Sequence, residues 1–199
     1  MSISESPRRS TVFIDLLEKT ARGLNEKRIP YMVIGGQALL LYGEPRLTKD
    51  IDITLGIGLE GLAEIKALVS TLEFKPLVSN PDSFVKETMV FPVAEEKSGI
   101  RIDFIFSFSL YEKQAIEKAR EIRLGQTIVR FASLEDVIIH KILAGRPRDI
   151  EDIESILLRN PGYDAPYINN WLSEFGAALD RNYRSEFQAL IEKLKQSSS

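Results

Sequence analysis

Asp50 and Asp52 are separated by one isoleucine in the run Lys49-Asp50-Ile51-Asp52-Ile53-Thr54. On a strand, residues i and i+2 share a face, about 6.5–7 Å apart along the chain. The two carboxylates would stand side by side while Ile51 and Ile53 turn toward a core. Two unit charges at ~4 Å repel by about 4 kcal/mol at an effective dielectric of ~20. Protonation or a cation relieves that cost, and magnesium with phosphate ligands is the usual occupant of such a pair. Upstream, Gly35 and Gly36 follow the apolar run Tyr31–Ile34. Glycine lets backbone approach a phosphate closely and adopts positive φ. A helix starting after the pair offers N–H groups and a positive dipole end to triphosphate oxygens. Standing alone, a Gly-Gly pair is more simply a tight strand-to-helix turn.

A third carboxylate lies in the apolar run from Ile100 to Ser107. Ile100, Ile102, Phe104 and Phe106 alternate onto one face, and Asp103 falls on the other with Arg101 and Ile105. A carboxylate among apolar neighbours needs a partner. Asp103 could complete a two-metal site with Asp50 and Asp52 and help to deprotonate an attacking hydroxyl; the alternative is a surface acid on an edge strand. Thr48 shares the face of Asp50 and Asp52 if that strand begins early enough, and could donate to a phosphate. Arg46 could clamp a phosphate or pair with an acid. The chemistry these residues would share is metal-assisted phosphoryl transfer.

The elements that must position them follow from periodicity. The spacing predicts an amphipathic helix over 11–27, a strand over 31–34, a helix over 37–42 stopped by Gly43 to Pro45, and a strand over 49–55. A helix over 59–72, strands over 84–93 and 100–107, a helix over 110–120 and a hairpin around Leu124 to Gln126 ending near Phe131 come next. Ser133, with Asp136 three residues on, is an N-cap signal for a helix running to Ala144. Gly145 stops it and Pro147 starts another. Helices over 166–179 and 181–195 close the chain, and Trp171, Leu172 and Phe175 are expected in its core. The fold class is α+β: a small mixed sheet with flanking helices over 11–131, then a helical subdomain over 132–196.

The 199 residues are 44% apolar and 28% charged, ordinary for a globular protein able to bury a sizeable core. No apolar run is long enough to span a membrane, and Met1 to Ser10 lacks the apolar stretch of a signal peptide. The absence of cysteine excludes disulfides and thiolate sites and is compatible with a reducing cytoplasm. His140 is the single histidine, which excludes multi-histidine metal sites. A net charge of −3 and a pI near 5.4 give no global footprint for a polyanion. Arg120, Arg123 and Arg130 are read as scattered surface arginines rather than a polynucleotide strip. No internal repeat or low-complexity segment interrupts the chain.

Ile34-Gly35-Gly36, a thirteen-residue spacer and Asp50-Ile51-Asp52-Ile53, with a later strand acid at Asp103, resemble the nucleotidyltransferase superfamily related to DNA polymerase beta. Arg46-x-Thr48-x-Asp50-x-Asp52 and the late run from Leu134 through Lys141 to Arg146, Asp149 and Asp152 are similar to AbiE-toxin-like prokaryotic nucleotidyltransferases of toxin–antitoxin systems. The resemblance covers about residues 30–160. It implies a Mg²⁺-dependent enzyme that moves a nucleotidyl group from a nucleoside triphosphate to a hydroxyl on RNA such as tRNA, on protein or on a small molecule, releasing pyrophosphate. Asp50, Asp52 and Asp103 would hold metal; Gly35, Gly36, Arg46 and Thr48 would bind nucleotide. It also admits a cognate antitoxin as partner. The other reading it leaves open is a non-catalytic antitoxin or partner-binding module on the same fold.

Lys141 falls within the helical stripe of Leu134, Val137, Ile138 and Ala144. A lysine there either snorkels to solvent or faces an anionic partner. The resemblance implies that Lys141 contacts the triphosphate and that Asp149 orients it. For Asp149 and Asp152 the alternative is charge compensation at a helix N-terminus.

Overall fold

A computed structural model describes residues 6–45, 48–107 and 109–197. The chain divides into two compact units, Met1–Gln37 with Leu47–Ala132, and Ala38–Arg46 with Ser133–Ser199. The elements are α1 (Ser6–Glu26), β1 (Tyr31–Ile34), α2 (Gly35–Leu39), β2 (Asp50–Leu55), a single 3-10 turn (Leu59–Gly61), α3 (Leu62–Thr71), β3 (Phe74–Pro76), α4 (Pro81–Thr88), β4 (Val90–Glu95), β5 (Arg101–Phe106), α5 (Leu110–Glu117), β6 (Arg120–Leu124) and β7 (Thr127–Phe131). Four helices follow: α6 (Leu134–Ala144), α7 (Pro147–Arg159), α8 (Ala165–Leu179) and α9 (Tyr183–Ser197). The fold is mixed α+β.

The strands form one seven-stranded sheet in the order β3-β4-β5-β2-β1-β7-β6. β2 runs parallel to β5 and β1 parallel to β7, and the remaining neighbours are antiparallel. The register lines up Phe91, Phe104, Ile53, Val33 and Phe131 across five strands, and all five are buried. Each fully buried side chain of this size contributes about 1.5–3 kcal/mol, so this row anchors the unit. α1 packs against β7. It also lies close to α3, where a Cβ on Gly23 would come within 2.7 Å of Leu68 Cδ1. One residue along each strand the side chains change face, and the next row reads Pro92, Asp103, Asp52, Ile34.

Residues 84–93, expected as one strand, are divided. Asn80 Oδ1 accepts from the Ser83 N–H at 3.3 Å, Pro81 takes the first turn of α4, and Met89 ends it in the left-handed region at φ 60°. Asn-Pro-Asp is a helix-start signal, and it outweighs the β-propensity of Phe84 and Val85. The strand is confined to β4, whose partner β3 has only three residues and no periodicity to announce it. α1 begins at Ser6, earlier than Thr11, since Pro7 is tolerated in a first turn.

In the second unit α6 packs against α7, α8 and α9, and α8 against α9. Ser133 Oγ accepts from the Asp136 N–H at 3.1 Å, and Gly145 closes α6 at φ 61°, as the cap residues imply. Val137, Ile138, Ile139 and Ile142 of α6 are buried, as are Ile153, Ile156, Ile168, Leu172 and Phe187 of the helices it packs against. Of the three apolar residues expected inside on α8, only Leu172 is fully buried. Trp171 and Phe175 are half-buried with ring centroids 6.3 Å apart. Ile168 and Leu172, one helical turn apart, form the inward stripe and leave the tryptophan on its flank. Among the described residues no helix is long and apolar enough to cross a membrane.

Candidate active site

Three acids and one arginine form a square on the sheet of the first unit. In the parallel β2–β5 register Asp50 lies beside Arg101, and Asp52 lies beside Asp103. The burial patterns of the two strands alternate in phase, with Ile51, Ile53, Ile102 and Phe104 inside and the four polar residues on the opposite face. β5 lies between β4 and β2, so Asp103 is on an interior strand and not on an edge.

The β1–α2 turn is built around this face. Gly35 takes φ 64°, and a Cβ built on it would overlap Asp52 Oδ2; one on Gly36 would overlap the Thr48 methyl. Glycine at 35 meets both demands, positive φ and close approach of a carboxylate. α2 starts at Gly35 itself and has five residues, where the sequence suggested a helix from Gln37 to Tyr42. The glycines form the first turn, and their own N–H groups are the ones a helix leaves without an internal partner. Gln37 Nε2 donates to Thr48 Oγ1 at 2.6 Å, both side chains being buried. That bond fixes Thr48 two residues before Asp50 and shows Gln37 to be a supporting residue that no local signal marked. Arg46 lies outside the described residues.

Arg101 is the second residue that sequence reasoning passed over, although the alternation along β5 already set it on the face of Asp103. Arg101 Nε donates to Asp103 Oδ1 at 2.8 Å. The Asp103 side chain is 13% exposed and that of Arg101 51%. The guanidinium is held above its ordinary value, first by the bond to Asp103 against the opposing effect of partial burial, then by the charges of Asp103, Asp50 and Asp52. All three carboxylates therefore act on one guanidinium. Among the described residues no group of three or more Asp, Glu or His side chains converges as a ready metal cage. Asp50 and Asp52 nonetheless supply hard carboxylate oxygens, and magnesium needs only one or two of these when phosphates and water complete its octahedron. The donor set fits a nucleotide-borne magnesium ion.

Lys141, Asp149 and Asp152 come together in the second unit. Lys141 Nζ donates to Asp149 Oδ1 at 3.1 Å and to Asp152 Oδ2 at 2.5 Å, and all three side chains are at most 10% exposed. Arg146 Nε donates to Asp149 Oδ2 at 2.6 Å from the surface. The geometry follows from the Gly145 stop and the Pro147 start. The chain reverses, and the first two turns of α7 present Asp149 and Asp152, three residues apart, to the last turn of α6. Of the two fates open to a lysine in an apolar stripe, Lys141 has the anionic partners.

No curated protein matches the chain significantly. Among solved structures, the chain is similar to the antibiotic-resistance factor ANT(2'')-Ia in solution, with 20% identity and a TM-score of 0.57 over 94% of this chain and 97% of that one. A crystal structure of ANT(2'')-Ia in complex with adenylyl-2''-tobramycin gives 20% identity and a TM-score of 0.56, covering 88% and 99%. An antigenic nucleotidyltransferase-like protein from Paracoccidioides brasiliensis shares 17% identity with a TM-score of 0.53, covering 90% and 91%. These likenesses show the nucleotidyltransferase fold. A family model described as nucleotidyl transferase of unknown function (DUF2204) matches residues 14–195, and by that match the chain belongs to this family of nucleotidyltransferase enzymes.

Proposed function

We propose that the protein transfers a nucleotidyl group from a magnesium-bound nucleoside triphosphate to the hydroxyl of a small molecule. The observation that carries this reading is the row in which Asp52 lies beside Asp103, with Gly35 cut back to admit the Asp52 carboxylate. Asp50 and Asp52 would hold magnesium, which when bound neutralises charge on the phosphates. The N–H groups of Gly35 and Gly36 and the Thr48 hydroxyl bind phosphate oxygens. The resemblance also assigns nucleotide contacts to Arg46 and to Lys141 with Asp149. Asp103 takes the proton of the attacking hydroxyl. The new bond forms between that oxygen and the α-phosphorus as the bond to the bridging oxygen breaks, and pyrophosphate leaves.

Two facts support a small-molecule acceptor over RNA or protein. The chain has a net charge of −3, unsuited to a polyanion, and it resembles over nearly its whole length an enzyme whose complex holds an adenylylated aminoglycoside. The run from Arg46 to Asp52 supports a second reading, an AbiE-like toxin with an antitoxin partner. Toxicity on induced expression, relieved by a neighbouring reading frame, would favour it.

Incubation with α-labelled nucleoside triphosphates, Mg²⁺ and a panel of hydroxylated small molecules should give labelled product and pyrophosphate. Asp52→Ala should lower the rate by at least about a hundredfold, the scale of losing a principal electrostatic group. Wild type and Asp52→Ala behaving alike would sink the proposal.

A further inference from the structure

Arg101 is the cation within the square of acids on β2 and β5, and three features tie it there. The strand register sets it beside Asp50, one step of i+2 from Asp103. Its Nε is bonded to Asp103 Oδ1 at 2.8 Å. It feels the charges of Asp50 and Asp52 as well as that of Asp103. A guanidinium cannot lose its proton in a protein and carries a planar fork of donors suited to carboxylate. Its charge on this face is therefore permanent. In a two-metal transferase two divalent ions sit about 3.5–4 Å apart and share carboxylates. Here Asp103 has a guanidinium at hydrogen-bond distance, and no three-carboxylate group converges among the described residues.

We propose that Arg101 takes, on Asp103, the place of a second divalent ion, so that the nucleotide is bound with a single divalent ion seated on Asp50 and Asp52. This rests on the nucleotidyl-transfer reading and narrows it. Arg101 is a positioning residue. It holds Asp103 by Oδ1 and leaves Oδ2 to receive the proton of the acceptor hydroxyl. Bond making and breaking at the α-phosphorus are as described above, with the guanidinium keeping all its protons.

The test counts ions. Mn²⁺ is titrated into the full-length protein with a saturating α,β-methylene nucleoside triphosphate analogue, and free Mn²⁺ is read by electron paramagnetic resonance. Wild type should retain a single ion per chain, Arg101→Met should gain a second, and Arg101→Lys, which keeps the charge, should stay at one. Wild type taking up a second ion while the analogue binds would overturn the assignment and leave nucleotidyl transfer standing. So would Arg101→Met holding only a single ion with an unchanged circular-dichroism spectrum and normal analogue binding. Failure of wild type to bind the analogue at all would overturn the transfer reading itself, and this assignment with it.

Discussion

Asp52 lies where a side chain at position 35 would have to go. The left-handed φ of Gly35 is separately unfavourable to any residue with a Cβ, by about 1–2 kcal/mol. Gly35→Ala should therefore displace the Asp52 carboxylate and lose most transfer activity, with a stability loss of about that size. Urea denaturation beside the label-transfer assay separates the two effects. Full activity in a folded Gly35→Ala protein would mean that Asp52 does not depend on this seat. The pairing of Gly35 with Asp52 could not be read locally, because sixteen positions intervene between the glycine and the carboxylate that fills its missing Cβ. The i+2 spacing that puts Asp50 and Asp52 on one face was readable, since strand geometry alone imposes it.

At the scale of elements, the α6–α7 corner depends on a buried charge cluster. Lys141→Met would leave Asp149 and Asp152 facing each other without their shared cation. Breaking a buried pair in this way costs about 3–5 kcal/mol. Thermal unfolding followed through Trp171, the single tryptophan and a residue of the second unit, should show that loss. A shift of less than about 1 kcal/mol would mean the cluster is solvated in solution, as surface pairs are. The caps of this corner were legible, Ser133, Gly145 and Pro147 each being a local signal. The charge cluster was legible only as a lysine in an apolar stripe. α4 was missed because apolar residues that suit a strand were weighed above Asn80 and Pro81, whose backbone preferences act first.

For the molecule as a whole, Asp149 contributes to the acid limb of stability. Burial works to raise its carboxyl, but hydrogen bonds from Arg146 and Lys141 and their charges outweigh burial and hold it below the ordinary 3.8. A carboxyl lowered by folding contributes stability that is complete above its unfolded value and disappears as pH falls through its folded one. Unfolding free energy measured through Trp171 should therefore drop as pH falls below about 3.8. Asp149→Asn should be less stable at neutral pH and show a shallower acid decline. Equal slopes for the two proteins would assign the acid limb to other carboxylates.

What the amino-acid order determines by itself is local: which residues alternate on β2 and β5, where glycine and proline stop and start helices, and a mixed α+β class. These depend on backbone geometry over a few residues. Tertiary structure alone decides that β5 lies beside β2 in the register that aligns Asp52 with Asp103 and Asp50 with Arg101. Two strands separated by more than forty residues carry no mutual signal in their spacing. Their alignment is chosen when Phe104, Ile53 and Val33 are buried in one row, and the charged face takes its arrangement from the apolar face behind it.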